Sequence, residues 1–143
     1  METENLLAML FGQMNEQQQL RFKQAIVAQT VFYVSQRLPA ADQDQGERDF
    51  VALANQWLAE PSAENAEKAR ATIVADRSNS AIKDHFFTPA EAAGAENGYE
   101  AVKYALIAGG DFQMAEAKQW QMATAWDILA DRTPPSTESL LDY

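Results

Sequence analysis

Apolar residues recur along this chain with a helical rhythm, and the clearest stretch runs from Arg48 to Arg77. Phe50, Leu53, Ala54, Trp57 and Leu58 stand at i, i+3, i+4, i+7 and i+8, the stripe of an amphipathic helix. Pro61 cannot continue that helix, because it has no N–H and its ring clashes with the preceding turn. Ser62 then offers its hydroxyl as an N-cap to a second helix carrying Ala66, Ala69 and Ile73 on one side. Two helices joined by so short a break must lie side by side as an αα-hairpin.

The flanking segments carry similar signals. Thr3 can cap a short helix through Leu10, and Gly12 is placed to end it. Asn15 with Gln18 forms a capping-box pattern opening a long segment to about Leu38. There Leu20, Ile26, Val27, Val31, Val34 and Leu38 track one broad side, widened by Phe22, Phe32 and Tyr33. Such breadth predicts a helix central in a bundle or shared between its own core and a partner. Val27–Val34 is also rich enough in β-branched residues for a strand. The apolar period continues beyond strand length on both sides, which favours helix. Pro39 ends it, and Asp42–Gly46 reads as the first loop.

After Arg77, Ser78-Asn79-Ser80 breaks the pattern, and Ala81–Phe87 reads as a single turn sending Phe86 and Phe87 into the core. Thr88-Pro89-Ala90-Glu91 has the form of a helix start, with Thr88 as cap, Pro89 first in the helix and Glu91 closing the box. Gly94 and Asn97-Gly98 leave two options, one helix over Pro89–Ala108 or a break near Gly98. Glycines four apart could also admit a second helix closely. Tyr99, Val102, Ala105 and Leu106 resume the stripe, Gly109-Gly110 ends it, and Asp111 can cap a last helix from Phe112 to about Asp131. That helix has Met114, Ala117, Ala125, Ile128 and Leu129 on one side, with Trp120, Met122 and Trp126 towards the flanks. Thr133-Pro134-Pro135-Ser136-Thr137 is an extended linker, and the closing ESLLDY is either a frayed end or a docking segment. The expected fold is all-α, a compact bundle of about six or seven helices built from antiparallel pairs with a short disordered C-terminal tail. Residues 1–132 form its single domain and 133–143 the linker and acidic tail.

Composition narrows the function classes. The 143 residues, 47% hydrophobic, suffice for one core. The absence of cysteine removes disulfides, thiolate metal sites and cysteine nucleophiles. The first charges are Glu2 and Glu4, unlike a secretory signal, and no apolar run is long enough to span a bilayer. A cytoplasmic location is the expectation. A net charge of −10 repels nucleic acid and anionic membrane and would suit a basic protein partner.

Candidate chemistry changes the picture little. Phosphate-binding glycine motifs such as GxGxxG or GxxxxGK[ST] are missing. His85 is the only histidine, flanked by Asp84 and Phe86, and Ile82 stands where a Glu-x-x-His metal motif needs Glu. The expectation is therefore no metal, no cofactor and no catalytic residue. Glu60 with Glu64 and Glu96 with Glu100 are acid pairs at helical spacing, common on exposed faces. Trp57 lies on its helix's apolar stripe and belongs to the core. Trp120 and Trp126 are six residues apart, about 600° of helical rotation, so they cannot share a face and one should be partly exposed. With Phe32 and Tyr33 they make up a candidate partner surface.

The arrangement A-L-A-N-Q-W-L-A-E-P-S-A-E-N-A-E-K-A, Ala52 to Ala69, resembles the alanine-rich helical pairs of immunity proteins from bacterial polymorphic-toxin systems. There an Ala-x-x-x-Trp-Leu helix is followed, after a short break, by a helix with alanines every three or four residues. The resemblance implies a cytoplasmic binder that occludes a toxin's active site without catalysis of its own, and it carries no functional residue over. The leading expectation is a non-enzymatic acidic helical protein–protein interaction module. It could form a homodimer through Asn15–Leu38 or Phe112–Asp131. The alternative is a small helical enzyme or carrier with an apolar pocket, its polar group coming from His85, Tyr99 or Tyr104. An acidic mimic of nucleic acid is disfavoured by the even spread of charge.

Overall fold

Local capping sets where the helices begin. The Asn15 side chain accepts from the backbone N–H of Gln18 at 2.8 Å, and Gln18 returns a bond to the Asn15 N–H at 3.0 Å, the reciprocal box read from the sequence. The Ser62 hydroxyl accepts from the Asn65 N–H at 3.2 Å, so the Pro61 break and its cap stand as expected. The computed structural model describes residues 3–37, 45–76, 87–110 and 113–142. These hold α1 (Thr3–Gly12), α2 (Glu16–Arg37), α3 (Gln45–Ala59), α4 (Ala63–Asp76), α5 (Thr88–Gly94), α6 (Gly98–Gly109) and α7 (Met114–Leu129), with a 3-10 helix at Thr137–Asp142. Among the described residues there is no strand, and Val27–Val34 is helical.

The option left open around Gly98 resolves to two helices. Residues 95–97 bend, and Asn97, extended at φ −154°, caps α6 by accepting from the Glu100 N–H at 2.9 Å. Gly110 closes α6 at φ 77°, a left-handed conformation that suits glycine. Asp131, at φ 57°, ends α7 in a Schellman turn, its N–H donating to Ile128 and that of Arg132 to Asp127. Several expected boundaries shift, among them that of α1, whose expected cap Thr3 is its first residue. Gln45 and Gly46 lie inside α3 rather than in a loop. Thr88 is the first residue of α5, and the cap position falls to Phe87, which makes no side-chain cap bond. Met114 opens α7 after Gln113 at the cap position, while Asp111 and Phe112 lie outside the described residues. So do Leu38, Pro39, Ser78–Ser80 and the stretch from Ala81 to Phe86, including His85.

α2 is the central element. Phe22, Ile26, Val27 and Val34 are fully buried there, and α3, α5, α6 and α7 all pack against it. Much of its broad apolar circumference is taken up by its own core, while Val31 and Phe32 stay half-buried and Leu20 is exposed. α5 is buried along nearly its whole length between α2, α3, α4 and α6, which its small residues permit. Phe87 just before it meets Phe50 of α3 at 4.6 Å between ring centroids, as expected for a core anchor. A Cβ at Gly98 would stand 2.6 Å from Phe22 Cδ2 and 2.8 Å from the Lys23 nitrogen, so α6 lies against the backbone of α2 there.

α2 and α7 run antiparallel. Gln18 donates to the Ile128 carbonyl, and Gln29, further along α2, donates to the earlier Ala117 carbonyl at 3.3 Å. Gln121 Nε2 completes a buried pair with Gln29 Oε1 at 3.0 Å. Of the stretch expected as a tail, residues 137–142 form the 3-10 helix, and Leu140 is buried against the body. Of the two readings left open for ESLLDY, docking is what the described residues display; Tyr143 lies outside them.

Candidate functional site

The four residues expected to form a partner surface do not share an exposed face, although the Phe32 and Tyr33 rings meet at 6.0 Å between centroids. Trp120 is 1% exposed, and its indole N–H donates to the Ser136 carbonyl at 3.0 Å and reaches the Ser139 hydroxyl at 3.2 Å. Tyr33 is buried too, so neither ring can face a partner. Its hydroxyl makes no hydrogen bond of sound geometry. Burial raises its pKa, and nearby Gln29 opposes that rise. Phe32 is half-buried beside a shallow hollow with Val31 and Leu58. Only Trp126 is open to solvent, at 51% exposure, as the 600° separation from Trp120 requires. Met122 lies one turn before it, beside a hollow of about 430 Å³ lined by Ala115, Lys118, Gln119 and Met122.

A further cleft lies on another face. It measures about 460 Å³ and is walled by the first turns of α2 and α4, by Trp57 of α3, by Arg70 of α4 and by the bend before α6. Lys23 of α2 forms its floor. Only 7% of this residue is exposed, although it lines an open cleft. The Lys23 Nζ donates to the Ala95 carbonyl at 2.8 Å and stands 4.3 Å from the centre of the Trp57 ring. Burial, and secondarily the positive charge of Arg70, push its pKa down from 10.5 to about 8. Arg70 donates to the Gly94 carbonyl and holds Glu67 at 2.8 Å. Glu16 and Glu96 also line the cleft, and neither forms an ion pair with Lys23 among the described residues.

This cleft differs from the apolar pocket anticipated as an alternative. Its charged groups are Lys23, Arg70, Glu16 and Glu96; Tyr99 lines instead a smaller hollow of about 260 Å³ with Leu7, Val102 and Leu106, Tyr104 lines neither, and His85 lies outside the described residues. A signal for Lys23 did exist in the sequence: it stands three residues before Ile26 and four before Val27, a lysine inside the buried stripe. Arg70 had no comparable signal, because its role depends on Gly94 arriving from α5. Among the described residues no group of histidines and acids could hold a metal ion, and no helix is long and apolar enough to cross a membrane. In comparisons with known proteins, no family model, curated protein or solved structure matches the chain.

Proposed function

We propose that this protein is a non-enzymatic, acidic helical interaction module that binds another protein through the outer face of α7, with Trp126 as anchor. One observation carries the reading: a tryptophan half-exposed on a helix whose other tryptophan is wholly buried. Tryptophan is the residue type most enriched among those that dominate binding energy at interfaces. Ala115, Gln119, Met122 and Trp126 follow one another at i, i+4, i+7 and i+11, the spacing with which one helix meets another. The net charge of −10 favours a basic partner. The resemblance of Ala52–Ala69 to immunity proteins suggests the particular form, a bacterial cytoplasmic inhibitor that covers a toxin. Capture from the native cell with wild type and with Trp126→Ser tests it. The expected outcome is a stoichiometric partner that Trp126→Ser loses and that shields Trp126 from acrylamide quenching. Equal capture by both proteins, with Trp126 equally quenched in free and bound protein, overturns the reading. Recovery of a second copy of the chain alone would identify the partner as itself.

A further inference from the structure

The cleft over Lys23 is independent of the α7 face and has a chemistry of its own. An ammonium withdrawn from water is costly unless a counter-charge or enough hydrogen bonds compensate it. Lys23 has the Ala95 carbonyl and the Trp57 ring, but no carboxylate partner among the described residues. Its nearest charged influence is a second cation, Arg70, whose own carboxylate partner Glu67 does not line the cleft. Lys23 therefore carries its charge in the cleft without a carboxylate in direct contact, since the lining acids Glu16 and Glu96 form no ion pair with it among the described residues. The walls add to this: the first turns of α2 and α4 border the same space, and helix N-termini favour negative charge.

We infer that this cleft is a binding site for a small organic monocarboxylate, its carboxylate meeting Lys23 and its apolar body lying along Trp57, Leu20 and Pro61. The shape and lining choose within the anions. A volume of about 460 Å³ admits a small molecule rather than a bare ion. Trp57, Leu20 and Pro61 offer that molecule an apolar wall. Glu16 and Glu96 repel a dianion such as a phosphate monoester, and the net charge of −10 repels polyanions at longer range. Proton linkage gives the site a signature. A bound carboxylate stabilises the ammonium form, so it raises the Lys23 pKa above about 8, and affinity falls as pH rises through that value.

The test uses phenylacetate, indole-3-acetate and hexanoate as probes, phenylacetamide as the neutral control and inorganic phosphate as the dianion, followed by calorimetry and by the Lys23 Cε NMR shift. At least one carboxylate is expected to bind saturably with a millimolar or lower Kd. Its amide counterpart and the Lys23→Met variant should bind at least about tenfold more weakly, the ratio that discarding one charge-assisted contact gives. Lys23→Met keeps the stem length and loses only the charged end, and Arg70→Gln, on an exposed side chain, gives a second, milder loss. The NMR titration of Lys23 should move to higher pH in the bound protein. No saturation by any carboxylate at about ten times a millimolar Kd, equal binding of phenylacetamide, or unchanged affinity in Lys23→Met overturns the site. Phosphate binding as tightly as the best carboxylate overturns the monoanion assignment. None of these results bears on Trp126, so the cleft and the α7 face stand or fall separately.

Discussion

Lys23 shows how one residue's surroundings set its chemistry. It sits on the buried side of α2, under Trp57 and beside the Ala95 carbonyl, with burial and then Arg70 lowering its pKa to about 8. In the unfolded chain the ammonium keeps its proton up to its ordinary pKa of 10.5. Below pH 8 both states are protonated, and the cost of the buried charge is fully present. Between about 8 and 10.5 the unfolded state binds more protons, so this residue makes stability rise with pH across that window. The urea midpoint of wild type relative to Lys23→Met should accordingly climb over that range. A difference independent of pH would mean that Lys23 is as well solvated in the folded protein as in the unfolded chain. A lysine at that place in the apolar stripe was visible in the sequence; its neighbours were not, since Trp57, Arg70 and Ala95 come from three other segments.

At the scale of elements, periodicity and caps carried the reading far. The box at Asn15, the cap at Ser62, the Pro61 break and the Gly110 stop all depend on residues within a turn of one another. Thr88 shows where such local logic loses: it sits one position inside the helix it was expected to cap. The contact of α6 with α2 at Gly98 lay open as an option, and packing decided it. Adding a methyl there sets it 2.8 Å from the Lys23 backbone nitrogen, which cannot move without α2. Gly98→Ala should therefore destabilise the protein by about 1–3 kcal/mol or more. At Gly12, the last residue of α1, an added Cβ meets nothing within 4 Å. Gly12→Ala should instead gain about 0.4–1 kcal/mol, mostly by restricting the unfolded chain. Urea titration of the two variants checks the opposite signs, and a neutral Gly98→Ala would place α6 further from α2 than described.

Across the whole molecule, charge and core pull in different directions. The core is built around α2, and Leu140 extends it to the C-terminal 3-10 helix. A net charge of −10 opposes compaction through self-repulsion, and the described pairs Arg70–Glu67 and Arg132–Asp127 are surface contacts worth little. Screening should relieve that repulsion. The urea midpoint is expected to rise when NaCl is raised from about 0.01 M to 0.3 M, as the Debye length shrinks from about 30 Å to under 8 Å. A midpoint that falls with salt would show that attractive pairs outweigh the like-charge excess.

The sequence by itself determined that this chain is helical, where most helices start and stop, and that its two late tryptophans face different ways. All three follow from interactions between residues a few positions apart, which a linear string displays. Tertiary structure alone decided which tryptophan goes inside. Trp120 is buried because Ser136 and Ser139, beyond the Pro134-Pro135 linker, return to accept its N–H. It likewise decided that a lysine, an arginine and a tryptophan from α2, α4 and α3 meet over one cleft. Those contacts join residues far apart in the chain, and their geometry exists only once the helices have packed.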